Sequence, residues 1–150
     1  MKTLQERREE SKLELKGFAV GSAVLGAVYA AFGVLEVMSV AGAFSFEPVP
    51  ADAASGLCLL VVAATFLLGA KELLEGRTLG ISFVVVGVAL AAVFGLLYIL
   101  IAVAHALMFV LGEAEELSLL AELRPEIWLA LAAAAMAPYL RRALKELRAI

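Results

Sequence analysis

Apolar residues run through this chain in long blocks, broken by short polar stretches. The first block, GFAVGSAVLGAVYAAFGVLEVMSVAGAFSF (17–46), carries a single charge, Glu36. The second, AASGLCLLVVAATFLLGA (53–70), carries none. The third, ISFVVVGVALAAVFGLLYILIAVAHALMFVLG (81–112), holds the chain's one histidine, His105. The fourth, IWLALAAAAMAPYL (127–140), is shorter. A helix rises ~1.5 Å per residue, so about 20 residues cross the ~30 Å hydrocarbon layer of a bilayer. Three blocks reach that length. The fourth reaches only about 21 Å on the same rise. Flanking Arg141 and Arg142 can snorkel, and Trp128 and Tyr139 occupy interfacial positions, so a fourth span is still expected.

The expected fold is all-α: a polytopic membrane protein with four transmembrane helices packed as a bundle, in one domain covering 1–150. The spans are expected at about 17–41, 53–74, 79–111 and 126–147. Residues 1–16 form a polar helical extension on the cytoplasmic side, with i, i+4 stripes of acids (Glu6, Glu10, Glu14) and bases (Arg8, Lys12, Lys16). That stretch lacks a signal peptide's order of basic, apolar and small-residue regions.

Loop charges set the direction of threading. With both termini inside, the inner segments hold Lys2, Arg7, Arg8, Lys12, Lys16, Lys71, Arg77, Arg141, Arg142, Lys145 and Arg148, while the outer loops hold only Arg124. Such a positive-inside bias requires an even number of spans and places both termini in the cytoplasm. The linkers agree. Pro48 and Pro50 stop a helix, Gly76 ends one, Thr78 is a candidate N-cap and Pro125 opens the fourth segment. Leu117, Leu120 and Leu123 form a short amphipathic stripe expected on the outer surface.

Composition narrows the class. Hydrophobic residues make up 63% of the 150, with a mean hydropathy of +0.98. A soluble domain carries roughly 45–50% apolar residues, and so short a chain cannot bury the excess in one core. Lipid is therefore the expected partner of most of the surface. A net charge of −3, without an arginine-rich, aromatic-interleaved patch, argues against nucleic acid. Cys58, alone, makes no internal disulfide. The absence of asparagine, with one glutamine, Gln5, is thermophile-like.

Helical periodicity gathers the small and polar residues on single faces. On the first segment these are Ser22, Gly26, Tyr29, Gly33 and Glu36; on the second, Ser55, Cys58, Thr65 and Gly69. On the third, His105 shares a face with Gly87, Ala91, Phe94, Tyr98, Phe109 and Gly112, so it is expected to face protein. Lipid provides no hydrophobic drive between helices, so small residues mark packing faces. Gly17, Gly21, Gly26, Gly33, Gly69 and Gly87 are the expected packing positions, and the Gly17–Gly21 spacing suits dimerisation.

Depth follows from the rise per residue. Glu36 lies about 29 Å from Gly17 and His105 about 37 Å from Gly80, which puts both near the outer boundary. Tyr98 is one to two turns deeper, and Cys58 is in the outer half. Glu36, His105, Tyr98 and Cys58 are the candidate polar intramembrane site. Ionisable groups within spans mark proton or cation chemistry when they are buried and paired, and ordinary interfacial solvation when they are not. The outer acids Glu47, Asp52, Glu113, Glu115, Glu116, Glu122 and Glu126 are expected to form a solvated rim.

No metal site, cofactor motif or catalytic constellation is expected. One His, one Cys and one Glu lack ligand spacing, and there is no H-E-x-x-H, C-x-x-C or phosphate loop. Three functions fit. The first is a non-enzymatic membrane module or subunit packing against itself or a larger complex. The second is a proton or cation channel or transporter using Glu36 and His105. The third is a membrane enzyme acting on lipid or quinone.

Overall fold

A computed structural model describes residues 4–42, 53–112 and 124–141, with side chains from Leu15 onward. The described residues are helical: α1 (Leu4–Val40), α2 (Ala53–Leu74), α3 (Leu79–Val110) and α4 (Pro125–Ala135). Among them, three stretches are long and apolar enough to cross a membrane, namely Leu15–Val40, Ala53–Leu74 and Leu79–Val110. The polar N-terminal extension and the first apolar segment are one continuous helix of 37 residues, about 55 Å long.

Each helix buries one stripe, and the stripes have a heptad spacing. On α1 the buried positions are Ala19, Ser22, Gly26, Tyr29, Gly33 and Glu36. Steps of three and four residues average 3.5, the spacing that keeps a seam turned toward a neighbouring helix in left-handed packing. On α2 the same steps link Ser55, Leu59, Val62, Phe66, Gly69 and Leu73. On α3, Val84, Ala91 and Tyr98 repeat every seven residues. Away from the stripes the helices show large exposed side chains, including Val20, Val24, Leu57, Leu68, Val93 and Leu96. A water-soluble protein rarely exposes so continuous an apolar belt.

Packing follows chain order: α1 lies on α2, α2 on α3 and α3 on α4, with a smaller contact between α1 and α4. Glycines set the closeness. A Cβ added at Gly33 would sit 2.9 Å from the Gly56 carbonyl oxygen, and one at Gly56 would sit 3.0 Å from that of Gly33. Between α2 and α3, Gly69 and Gly80 oppose each other in the same reciprocal way, at 3.1 and 2.6 Å. Gly26 abuts Leu67, Gly87 abuts Thr65 and Phe66, and Gly95 abuts Ala130. Of the six glycines expected to pack, Gly26, Gly33, Gly69 and Gly87 thus lie in these contacts. Gly21 is near Met136, while Gly17 has nothing within 4 Å. Gly56, Gly80 and Gly95 pack as closely and are absent from the periodicity-based set.

The turn between α2 and α3 is closed by Gly76, at φ +75°. Its N–H donates to the Leu73 carbonyl at 3.0 Å, and the Arg77 N–H donates to that of Glu72 at 2.9 Å. This is the paired bonding of a Schellman stop, which needs a left-handed residue where only glycine is unstrained. The turn is so tight that Thr78 is already helical, at φ −66° and ψ −19°, and makes no side-chain cap. The expected cap is therefore corrected. A capping hydroxyl needs extended backbone to reach the next N–H groups.

The fourth segment also differs from the expected unbroken span at 126–147. Its regular helix has 11 residues, about 16 Å. After a turn at Met136, helix resumes over 137–141. The break is local chemistry: Pro138 has no N–H for the carbonyl four residues earlier, and its ring crowds that carbonyl. Pro125 occupies the first turn of α4, and Arg124 before it is extended, as proline favours. The linker prolines Pro48 and Pro50, the stripe at Leu117, Leu120 and Leu123, and residues 142–147 lie outside the described residues.

Candidate functional site

Three helix ends converge at the end of the bundle away from the Gly76 turn. These are the last turns of α1, the first turn of α2 and the first turn of α4. The polar groups gathered there are buried. Glu36 is 0% exposed, Ser55 1% and Glu126 2%. The Ser55 hydroxyl donates to Glu126 Oε1 at 2.5 Å across 71 residues of sequence. Glu36 comes in from the other side of the same turn of α2, its Cβ 3.1 Å from where a Cβ on Gly56 would lie. Both carboxyl-bearing side chains thus flank the adjacent residues Ser55 and Gly56.

Electrostatics favours acids at this place. The first-turn N–H groups of a helix lack intrahelical acceptors, and the helix dipole places partial positive charge there. Glu126 lies in the first turn of its own helix and against the first turn of α2, so two such ends act on it. Arg124 adds a full charge, with Nη1 4.0 Å from Glu126 Oε1. At an effective dielectric constant of about 20, that separation is a gross attraction of about 4 kcal/mol. The Arg124 guanidinium also lies 5.2 Å from the centroid of the Tyr98 ring, within cation–π range. One oxygen, Glu126 Oε2, is buried without a hydrogen-bond partner among the described residues.

Below this centre the α1–α2 seam is tight. The Ser22 hydroxyl donates to the Phe66 carbonyl at 2.8 Å. The Tyr29 ring lies 5.8 Å from that of Phe66, tilted by 35°. Between Ser22 and Glu36, Gly26 and Gly33 bring the helix backbones together.

The expected site residues separate into two groups. Glu36 and Tyr98 lie at the converging ends. Cys58, one turn along α2 from Ser55, is half-buried. His105 is exposed, so its expected protein-facing position is corrected. It continues the Val84–Ala91–Tyr98 stripe, but α3 runs 12 residues past Tyr98, about 18 Å beyond the level at which Arg124 and α4 meet it. Ser55 and Glu126 are the residues that sequence reasoning did not place in the site. Glu126 read as rim because it precedes the apolar block, although the Arg-Pro-Glu order, with an acid in the first helical turn, is itself a helix-start signal. The rim residues Glu47, Asp52, Glu113, Glu115, Glu116 and Glu122 lie outside the described residues. Among the described residues, no group of three or more His, Cys, Asp or Glu side chains is placed to hold a metal ion.

Buried carboxyls on apolar helices and an outward belt of valine and leucine are the marks of an integral membrane protein. No curated protein and no solved structure matches the chain. A family model, the MJ0565 integral membrane domain, matches residues 14–143, and the chain belongs to that family of multi-pass membrane proteins.

Proposed function

We propose that this domain is a non-enzymatic, four-span membrane module with both termini in the cytoplasm, in which Glu36 and Glu126 exchange a proton or small cation with the outer side. One observation carries the reading: carboxyl side chains from the first and last helices are both fully buried against Ser55 and Gly56. Ionisable groups are costly within a membrane and are kept there mainly for transport, relay or sensing. The glycine contacts below favour access from one side. This reading pairs Glu36 with Glu126, which borders the adjacent residue of α2, in place of His105. Carbodiimide labelling of intact proteoliposomes, read by peptide mass spectrometry, tests this. Glu36 or Glu126 becomes modified. Absence of adduct on both carboxyls across the whole pH range would refute the exchange.

Threading has its own support. The end of α4 at Arg124 lies beside Tyr98, while Met136 reaches within 3.5 Å of a Cβ placed on Gly21. Residues 125–141 therefore run along most of the bundle, about 25 Å, despite the break. The basic residues Lys16, Lys71, Arg77 and Arg141 belong to the opposite end. In a Cys58→Ser background, single cysteines at the exposed positions Glu75 and Leu111 report the orientation. An impermeant maleimide added outside cells reacts at residue 111 and leaves residue 75 unlabelled. The reverse pattern, or equal labelling, contradicts the threading.

Assembly with a second copy or a larger membrane complex is a second reading. It is favoured by the open space at Gly17 and by the exposed apolar side chains Val103, Leu107 and Val110 on the outer part of α3. The lipid- or quinone-directed enzyme has no observation of its own in its favour.

A further inference from the structure

We propose that the outward face of α4 and the short helix after it is a phospholipid-contacting surface of reduced height, which thins the bilayer beside it to a hydrocarbon layer of about 21 Å in place of the usual ~30 Å. This rests on the four-span reading above and adds the kind of membrane that the bundle imposes on its surroundings. The face is continuous. Trp128, Leu131, Ala135 and Tyr139 are exposed at steps of three, four and four residues, while Glu126, Leu129, Ala133 and Leu140 are buried on the other side. Trp128 is 58% exposed and Tyr139 63%. Between them the exposed residues are leucine, alanine and proline alone. Tryptophan and tyrosine gather at membrane–water boundaries, where the ring lies in an apolar layer and its N–H or O–H reaches headgroups and water. One such residue at each end of an apolar outward face is the pattern of a lipid boundary. Arg141, exposed just past Tyr139, suits the phosphate groups at that end.

The height of the face is set by charge. Residues 127–140 are the uncharged stretch between Glu126 and Arg141, about 21 Å at helical rise. Contacts prevent the segment from sliding along its neighbours. Gly95 abuts Ala130, and the Arg124 guanidinium lies 5.2 Å from the Tyr98 ring centroid. Ser55 bonds Glu126 at 2.5 Å, and Met136 Cε lies 3.5 Å from a Cβ placed on Gly21. A shift by one helical turn breaks all four. Tilting shortens a long span and cannot lengthen a short one, so the remaining responses are thinning, snorkelling and association. Snorkelling is poorly placed here. Cα–Cβ bonds lean toward a helix N-terminus, so Tyr139 and Arg141 start out leaning back along the face, away from the nearer boundary. That leaves thinning by lipid, or cover by a second copy, and the aromatic ends favour lipid.

Trp128 is the chain's one tryptophan, so its fluorescence reads this face in the full, unaltered protein. In vesicles of equal parts brominated eighteen-carbon and unlabelled fourteen-carbon phosphatidylcholine, the short lipid is enriched at least twofold around Trp128, seen as quenching below the random value. Random quenching, or enrichment of the longer lipid, overturns the proposal. So does a lack of quenching in pure brominated lipid, which means that protein covers the face. A second measurement moves the indole, in Trp128→Phe combined with Tyr139→Trp. In eighteen-carbon bilayers, both positions are quenched more by bromines near the headgroup than by bromines near the chain end. A deep indole at either position contradicts thinning. Single cysteines at 128 and 139, in the Cys58→Ser background, separate the two readings. Maleimide labelling from outside cells at 128 alone, together with a deep indole, sinks the thinning and leaves four spans standing. Labelling at both positions sinks both.

Discussion

Gly80→Val lowers the melting temperature by roughly 10 °C, reflecting a loss of about 3 kcal/mol, the upper part of the range for overpacking a tight contact. A Cβ at this position meets the Gly69 carbonyl oxygen at 2.6 Å and the Leu73 amide nitrogen at 2.8 Å. Both are backbone atoms and cannot rotate aside. The helices α2 and α3 have to separate, and in lipid no hydrophobic force draws them back. What is lost is van der Waals contact along the whole seam, not one pair of atoms. Gly17→Ala is the matched control with the opposite sign. Nothing lies within 4 Å of its added Cβ, and alanine is better than glycine in a helix by about 1 kcal/mol. Its melting temperature rises by a few degrees. If the two variants melt alike, the close α2–α3 approach is not what holds the bundle.

The second large effect is expected at Ser55. Ser55→Ala removes the hydroxyl that donates to Glu126 Oε1, leaving a buried carboxylate with Arg124 at 4.0 Å and no hydrogen bond among the described residues. Hydrogen bonds to charged groups contribute about 1.5–3 kcal/mol, and orphaning the acceptor incurs its desolvation cost. A loss of about 2 kcal/mol is therefore expected in denaturant or thermal unfolding. A double-mutant cycle with Glu126→Leu isolates the pair. Once the carboxylate is gone, Ser55→Ala costs less than it does in the unaltered protein, giving a coupling of at least about 1 kcal/mol. Strict additivity of the two substitutions would mean that the serine and the glutamate do not depend on each other.

How much of this was readable beforehand varies with the kind of information needed. The α1 seam follows from period alone. Ser22, Gly26, Tyr29, Gly33 and Glu36 share a face by counting, and all five are buried. The membrane class follows from block length and composition. What counting along one helix misses is where its neighbours end. His105 and Glu36 come out at similar depths when each is measured from its own inner terminus. The depth that matters, however, is set by register between helices, and Gly69 opposite Gly80 and Gly95 opposite Ala130 fix that register. It brings Tyr98, not His105, to the level of Arg124. Gly56, Gly80 and Gly95 were hidden for a related reason. In an apolar run, a glycine pressed against another backbone and one facing open space look the same. Glu126 is a long-range case, because its partner is on a helix 71 residues earlier.

The neighbour-by-neighbour order of the bundle has a consequence for biogenesis. Each helix leaving the insertion machinery finds its docking surface already delivered, first α2 on α1, then α3 on α2. The polar centre is the exception. Its Glu126 arrives with α4 and must close onto a serine of α2, 71 residues earlier. A chain halted after α3 would keep every glycine seam made so far and still have an unfinished polar end. Closure of that end thus reports that α4 has docked onto the helices before it.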